Sequence, residues 1–255
     1  MSKTLIDFIL QLADTNFILA QRNSEWCAHG PILEQDIAIT NISLDLLGQA
    51  RNFYQYSANI INTHKESGTS EIPRVSEDSL AYLRTERDFK NLLICELPNE
   101  DWAQTILRQF LYSIFQFGLY EQLQKSIDAP LAAIAEKSIK ETTYHVKWSS
   151  EWVIRLGDGT EESHARMERA LQNLWPYTGE FFIPADYEKG LIDVVALKKN
   201  WIEKVYAVLM EATLQKPAES VYMHRGGKEG AHTENLGFML AEMQYLQRTY
   251  PGATW

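Results

Sequence analysis

Residues 102–120 read WAQTILRQFLYSIFQFGLY. A helix drawn through this stretch carries apolar side chains on nearly every side, so it belongs inside the protein. Such a helix needs neighbours all round it. The flanking sequence supplies them, as long segments of helical periodicity with strand signals nearly absent. Helices are expected over 3–22, 34–62, 76–95, 101–127, 130–156, 160–179, 193–214 and 232–249, with Pro and Gly clustered between them. Pro130 suits a first helical turn. Gly157 suits a left-handed helix end, and Asp158 with Glu161 forms a candidate capping box. The 62–75 stretch reads as a flexible loop. Together these give an all-α fold, an antiparallel four-helix bundle with additional flanking helices, as one domain over 1–255.

Composition narrows the function. The chain carries 24 basic and 34 acidic residues, a net charge of −10. Nucleic acid and anionic membrane both call for a dense basic surface, so neither is expected as a partner. No stretch reaches the roughly 20 apolar residues of a membrane span. Asp7 and Asp14 interrupt the apolar N-terminus, which reads as a helix rather than a signal peptide. Two cysteines without CxxC spacing indicate neither a disulfide framework nor a zinc site, and a cytoplasmic setting is expected.

Helical bundles can hold two irons with a Glu from each of two helices and a Glu-x-x-His from each of the other two. This sequence comes close without matching. In KETTYHVKW (140–148), Glu141 is followed three residues later by Tyr144, and His145 arrives one position late. Ile134, Ser138, Glu141, His145, Trp148 and Trp152 form the expected inward face. Lys137, Lys140, Tyr144, Lys147 and Glu151 form the solvated one. In 34–62 the stripe Ala38, Asn41, Asp45, Gly48, Asn52 is expected inside, and Gly48 stands where a ligand is required. Between Asp101 and Glu121 there is no Asp, Glu or His. Asp45, Glu141 and His145 therefore read as a degenerate site, a buried polar cluster with a protonated imidazole between carboxylates. A catalytic metal site drawn from Asp14, Asp45, Glu141 and His145 is the competing reading. Glu161 with His164, and HTEN at 232–235, read as helix-start polar groups. RGGKEG (225–230) lacks the Walker pattern and reads as a surface turn.

Four stretches carry a resemblance: DLLGQARNFYQYSA (45–58), ERDFKNLLICELPN (86–99), KETTYHVKWSSEWVIRLGDGTEESHARM (140–167) and HTENLGFMLAEMQYLQRTYPGATW (232–255). They resemble the C subunits of bacterial ring-1,2-phenylacetyl-CoA epoxidases, multicomponent monooxygenases of phenylacetate catabolism. The resemblance implies a ferritin-like bundle and a non-catalytic role with no cofactor in this chain. It implies a related catalytic A subunit holding the di-iron centre, with other subunits including a reductase that uses NADPH, flavin and an Fe–S cluster. It also implies proximity to the CoA part of phenylacetyl-CoA at the shared interface, with Asp88, Phe89, Lys90 and Asn91 as candidate contacts. A free-standing acyl-CoA-binding protein is a third, weaker alternative.

Overall fold

The computed structural model describes residues 2–66, 74–218, 222–251 and 253. Four long helices make the bundle: α1 (Ser2–Ser24), α2 (Leu33–Glu66), α5 (Trp102–Leu123) and α6 (Ala129–Gly157). α1 packs along α2, α5 packs along α6, and α2 meets α6 to close the set. The expected 62–75 loop falls largely on 67–73, outside the described residues, and α2 continues to Glu66. Among the described residues there is no strand, and no helix is long and apolar enough to cross a membrane.

α5 starts where the Asp101 side chain accepts from the Gln104 N–H at 3.0 Å. Every residue from Ala103 to Gln116 is buried, as its all-round apolar character requires. α7 (Glu161–Leu174) and α8 (Val194–Glu211) cover the sides of α5 that α6 leaves open. The Trp201 indole on α8 donates to the Leu111 carbonyl at 2.9 Å. Burying each large apolar side chain of this helix contributes on the order of 1.5–3 kcal/mol.

Several boundaries differ from the sequence reading, each for a visible reason. The expected helix 76–95 is broken into α3 (Glu77–Tyr82), a 3-10 turn at Glu86–Asp88 and the short α4 (Leu93–Glu96). Its backbone donors are captured by distant side chains instead of the next turn. Lys90 N–H goes to Asp14 at 2.9 Å, and Leu93 N–H goes to Glu180 at 2.8 Å. Residues 175–182 tighten into 3-10 helix after α7, and the last segment divides into α9 (Glu234–Met243) and α10 (Tyr245–Thr249). Thr160 with Ser163, not Asp158 with Glu161, forms the capping box of α7. Pro130 does sit in the first turn of α6. Gly157 is not left-handed. A Cβ there would lie 2.4 Å from the Ala212 carbonyl, so the glycine serves close packing against the end of α8.

The RGGKEG turn is not a surface feature either. Gly227 and Lys228 are buried, and the strap 224–233 threads onto three buried carboxylates. Glu180 accepts from the N–H groups of Gly226 and Gly227 at 2.9 and 2.8 Å. Glu188 receives the Lys228 ammonium at 2.9 Å. Glu96 receives His232 Nδ1 at 2.9 Å and the Thr233 N–H at 2.6 Å. Gly226 and Gly230 have φ of 131° and 80°, where side chains other than hydrogen are strained.

Candidate functional site

The place where a bundle of this kind would hold metal lies between the middles of α1, α2, α5 and α6. Here it is filled by a hydrogen-bonded layer of amides and phenols. Tyr112, Gln116 and Tyr120 follow at four-residue intervals on α5, so they stack on one face. Tyr112 donates to Asn16 Oδ1 at 2.9 Å, and Gln116 Nε2 donates to the same oxygen at 2.6 Å. Gln116 Nε2 also reaches Gln49 Oε1 at 2.9 Å, and the Tyr120 hydroxyl donates to Gln49 Oε1 at 3.0 Å. Asn16 Nδ2 completes the ring by donating to the Tyr120 oxygen at 3.1 Å. All five side chains are essentially without solvent contact. Burial holds both phenols well above their ordinary pKa, so they stay neutral donors.

The acidic and imidazole groups sit at the α2–α6 edge of this layer. His145 is fully buried and its Nε2 lies 3.0 Å from Asp45 Oδ2, while the Asp45 side chain keeps 34% of its exposure. His145 Nδ1 has no hydrogen-bond partner. Glu141 is half-buried, and its Oε2 accepts from Gln49 Nε2 at 2.9 Å rather than from the imidazole. The structure thus pairs His145 with Asp45 and ties Glu141 to the amide layer. Asp14 is elsewhere. It is fully buried on α1 and saturated by Arg84, the Tyr54 hydroxyl at 2.6 Å and the Lys90 N–H. Among the described residues, no group of three or more His, Cys, Asp or Glu side chains is placed to hold a metal ion. Neutral amides also cannot balance the charge of two clustered divalent cations, so the donor set does not fit a di-iron centre.

On α6 the solvated stripe from Lys137 to Glu151 is exposed as expected, and Ser138, Thr142, His145 and Ser149 face inward. On α2 the inward face is Ile39, Ile42, Leu46, Gln49 and Phe53. The stripe expected there is rotated by one residue: Asn41 and Gly48 are exposed, and Asp45 is at the boundary. The amide layer escapes the sequence reading because Gln49 lies just off that stripe, and because metal ligands are carboxylates and imidazoles, which the middle of α5 lacks. Uncharged polar residues at four-residue spacing inside an otherwise apolar helix are the signal that reveals it.

The four candidate CoA contacts separate into two kinds. Phe89 and Asn91 have no exposure. The Phe89 ring lies 4.3 Å from the Arg84 guanidinium, and Asn91 donates to Glu96 at 2.9 Å. Asp88 is exposed and caps Thr85, whose N–H it accepts at 2.9 Å; hydrogen bonds from Thr85 hold its carboxyl below the usual range. Lys90 is partly exposed, 3.7 Å from Asp7.

The profile of the phenylacetic acid catabolic protein family matches residues 1–255. This chain belongs to that family. The C subunit of the 1,2-phenylacetyl-CoA epoxidase of Escherichia coli (strain K12) is 45% identical over 257 residues, covering 98% of this chain and 99% of its own length. The family fold is the ferritin-like helical bundle, and the resemblance drawn from the four sequence stretches is to the right component of the epoxidase. In this member of the phenylacetic acid catabolic protein family, amides and phenols occupy the middle of that bundle.

Proposed function

We propose that this chain is a non-catalytic structural subunit of a cytoplasmic phenylacetyl-CoA epoxidase. It pairs with a related catalytic A subunit, which carries the di-iron centre, and keeps that partner folded and soluble. Electrons reach the complex from NADPH through a flavin and Fe–S reductase component. The observation that carries the reading is the Asn16–Gln49–Gln116–Tyr112–Tyr120 layer, neutral and mutually satisfied where oxygen chemistry would need anionic and imidazole ligands. Amides do not readily exchange protons at neutral pH, so the layer is suited to holding four helices in register and unsuited to relaying protons. The 45% identity to an epoxidase component supports the pathway. The CoA part of phenylacetyl-CoA lies near the 88–91 segment, with Lys90 as the cation facing phosphate.

The test is to express the chain alone and together with its companion subunit, and to measure iron and, with NADPH and the reductase component added to both, phenylacetyl-CoA turnover. Iron and epoxidation are expected only in the pair. Stoichiometric iron with turnover in the isolated chain overturns the proposal. Within the complex, Lys90→Ala is expected to raise KM for phenylacetyl-CoA several-fold at constant kcat. An unchanged KM removes the CoA contact while leaving the structural role intact.

A further inference from the structure

α2 has a second seam, and it faces outward. Leu33, Ile37, Thr40, Leu44, Leu47 and Arg51 succeed one another at alternating intervals of four and three residues. That is the spacing of the apolar seam in a coiled coil. Leu33, Ile37, Leu44 and Leu47 are 71%, 51%, 60% and 42% exposed, and nothing among the described residues covers them. Single exposed aliphatic side chains are ordinary, but four on one seam of one helix are not. A groove of about 240 Å³ runs beside Leu44 and Leu47, walled by Phe17, Tyr82 and Met243. A second of about 240 Å³ continues past Leu47 to Arg51, Glu77 and Asp78.

Gly48 lies on this surface, inside a 34-residue helix where glycine is a poor choice. Its backbone is ordinary, without positive φ, and a Cβ added there would meet nothing within 4 Å. Gly157 and Gly227 are different, since a Cβ on either would strike a carbonyl of this chain. No contact among the described residues uses the missing side chain of Gly48. A helix backbone arriving from outside would use it.

We propose that this seam receives a helix of the companion catalytic subunit, with closest approach at Gly48. The inference rests on the structural-subunit reading above and adds where the pairing takes place. Seam spacing selects a helix as the occupant. Charge selects a different chain over a second copy of this one. The rim of the seam carries Glu34, Asp45, Glu77 and Asp78 against the Arg51 cation, which lies 3.5 Å from Glu77, and the whole chain has a net charge of −10, so two copies would bring like charges together. The partner helix is expected to carry Lys or Arg along its edges.

The experiment uses full-length wild type, Gly48→Ala and Gly48→Leu, measuring the Tm of each isolated chain and its Kd for the companion subunit. Alanine is expected to raise the Tm of the isolated chain, because it is the better helix former and has free space. The same change is expected to weaken pairing about tenfold, and leucine about a hundredfold. This reversal of sign between the free chain and the complex is what an external contact at Gly48 requires. Wild type that pairs, with both variants pairing at unchanged Kd, overturns the seam and leaves the structural role standing. Wild type that fails to bind the companion subunit overturns both. Self-association of wild type that Gly48→Leu abolishes overturns the choice of partner and gives the seam to a second copy.

Discussion

The polar layer at the bundle centre is made of Asn16, Gln49, Gln116, Tyr112 and Tyr120, none of them ionised. Around the strap the buried polar groups are ionisable: Glu188 with Lys228, Glu96 with His232, and Glu180 on backbone N–H groups. Both regions leave few unpaired groups, yet they answer differently to perturbation. A neutral amide layer has no protonation state to lose and fixes helix register through directional bonds. An ionic strap ties residues far apart in sequence and makes its hold depend on pH and on each partner's presence. At the bundle centre the bonded layer is neutral, and around the strap charged groups close the fold.

The largest expected effect is at Lys228. Lys228→Met strands the Glu188 carboxylate in the interior and should cost about 3–5 kcal/mol in chemical denaturation. A loss under about 1 kcal/mol would mean that packing, not ion pairing, closes the strap. Gln116→Leu should cost less, about 1–3 kcal/mol, by removing the amide that bridges Asn16 and Gln49 and leaving each oxygen with a single tyrosine donor. Its stability should keep the wild-type dependence on pH, and a new pH slope in this variant would erase the distinction between the regions.

Titration sharpens the comparison further. Burial works against protonated His232, but the Glu96 carboxylate and the Phe89 carbonyl, each 2.9 Å from a ring nitrogen, outweigh it, and the pKa rises above the ordinary 6.5. A raised histidine contributes stability fully below its unfolded pKa and loses it as pH climbs through the folded one. Stability of the wild type should therefore decline on the alkaline side of 6.5, and His232→Gln should flatten that limb. Glu180 is also raised, by burial that its backbone donors only partly offset, so its penalty enters at lower pH, as it ionises above the ordinary 4.5. The smallest effect is expected at the edge of the bundle centre. His145→Leu removes one bond to a carboxylate that water can reach, and should cost under about 1 kcal/mol in thermal unfolding. A cost of several kcal/mol would show that Asp45 depends on the imidazole.

The bundle was legible because α5 could be nowhere but inside, and because the missing ligands along it are a matter of composition. The inward face of α2 was not legible. That helix carries Ile39, Ile42, Leu46 and Phe53 toward the core and Leu33, Ile37, Leu44 and Leu47 toward solvent, so its periodicity points two ways at once. The break-up of 76–95 was equally hidden. Asp14, Thr15 and Glu180 take N–H groups from Lys90, Leu92 and Leu93, and none of those acceptors is near in sequence. The glycine-rich 225–230 stretch read as a surface turn, whereas Gly227 and Gly230 are tight contacts against the carbonyls of Asn91 and Arg87.

The strap also has a consequence for biosynthesis. His232 meets Glu96 across a separation of 136 residues. While a ribosome is still making the bundle, Glu96, Glu180 and Glu188 have emerged without the donors that later enclose them. Until residue 233 has been added and freed, Glu96 has Asn91, Glu180 has the Leu93 N–H and Glu188 has the Ala185 N–H, each without its strap donors. The nascent chain therefore passes through an interval with part of its interior unclosed, which is when a protease or chaperone would find it.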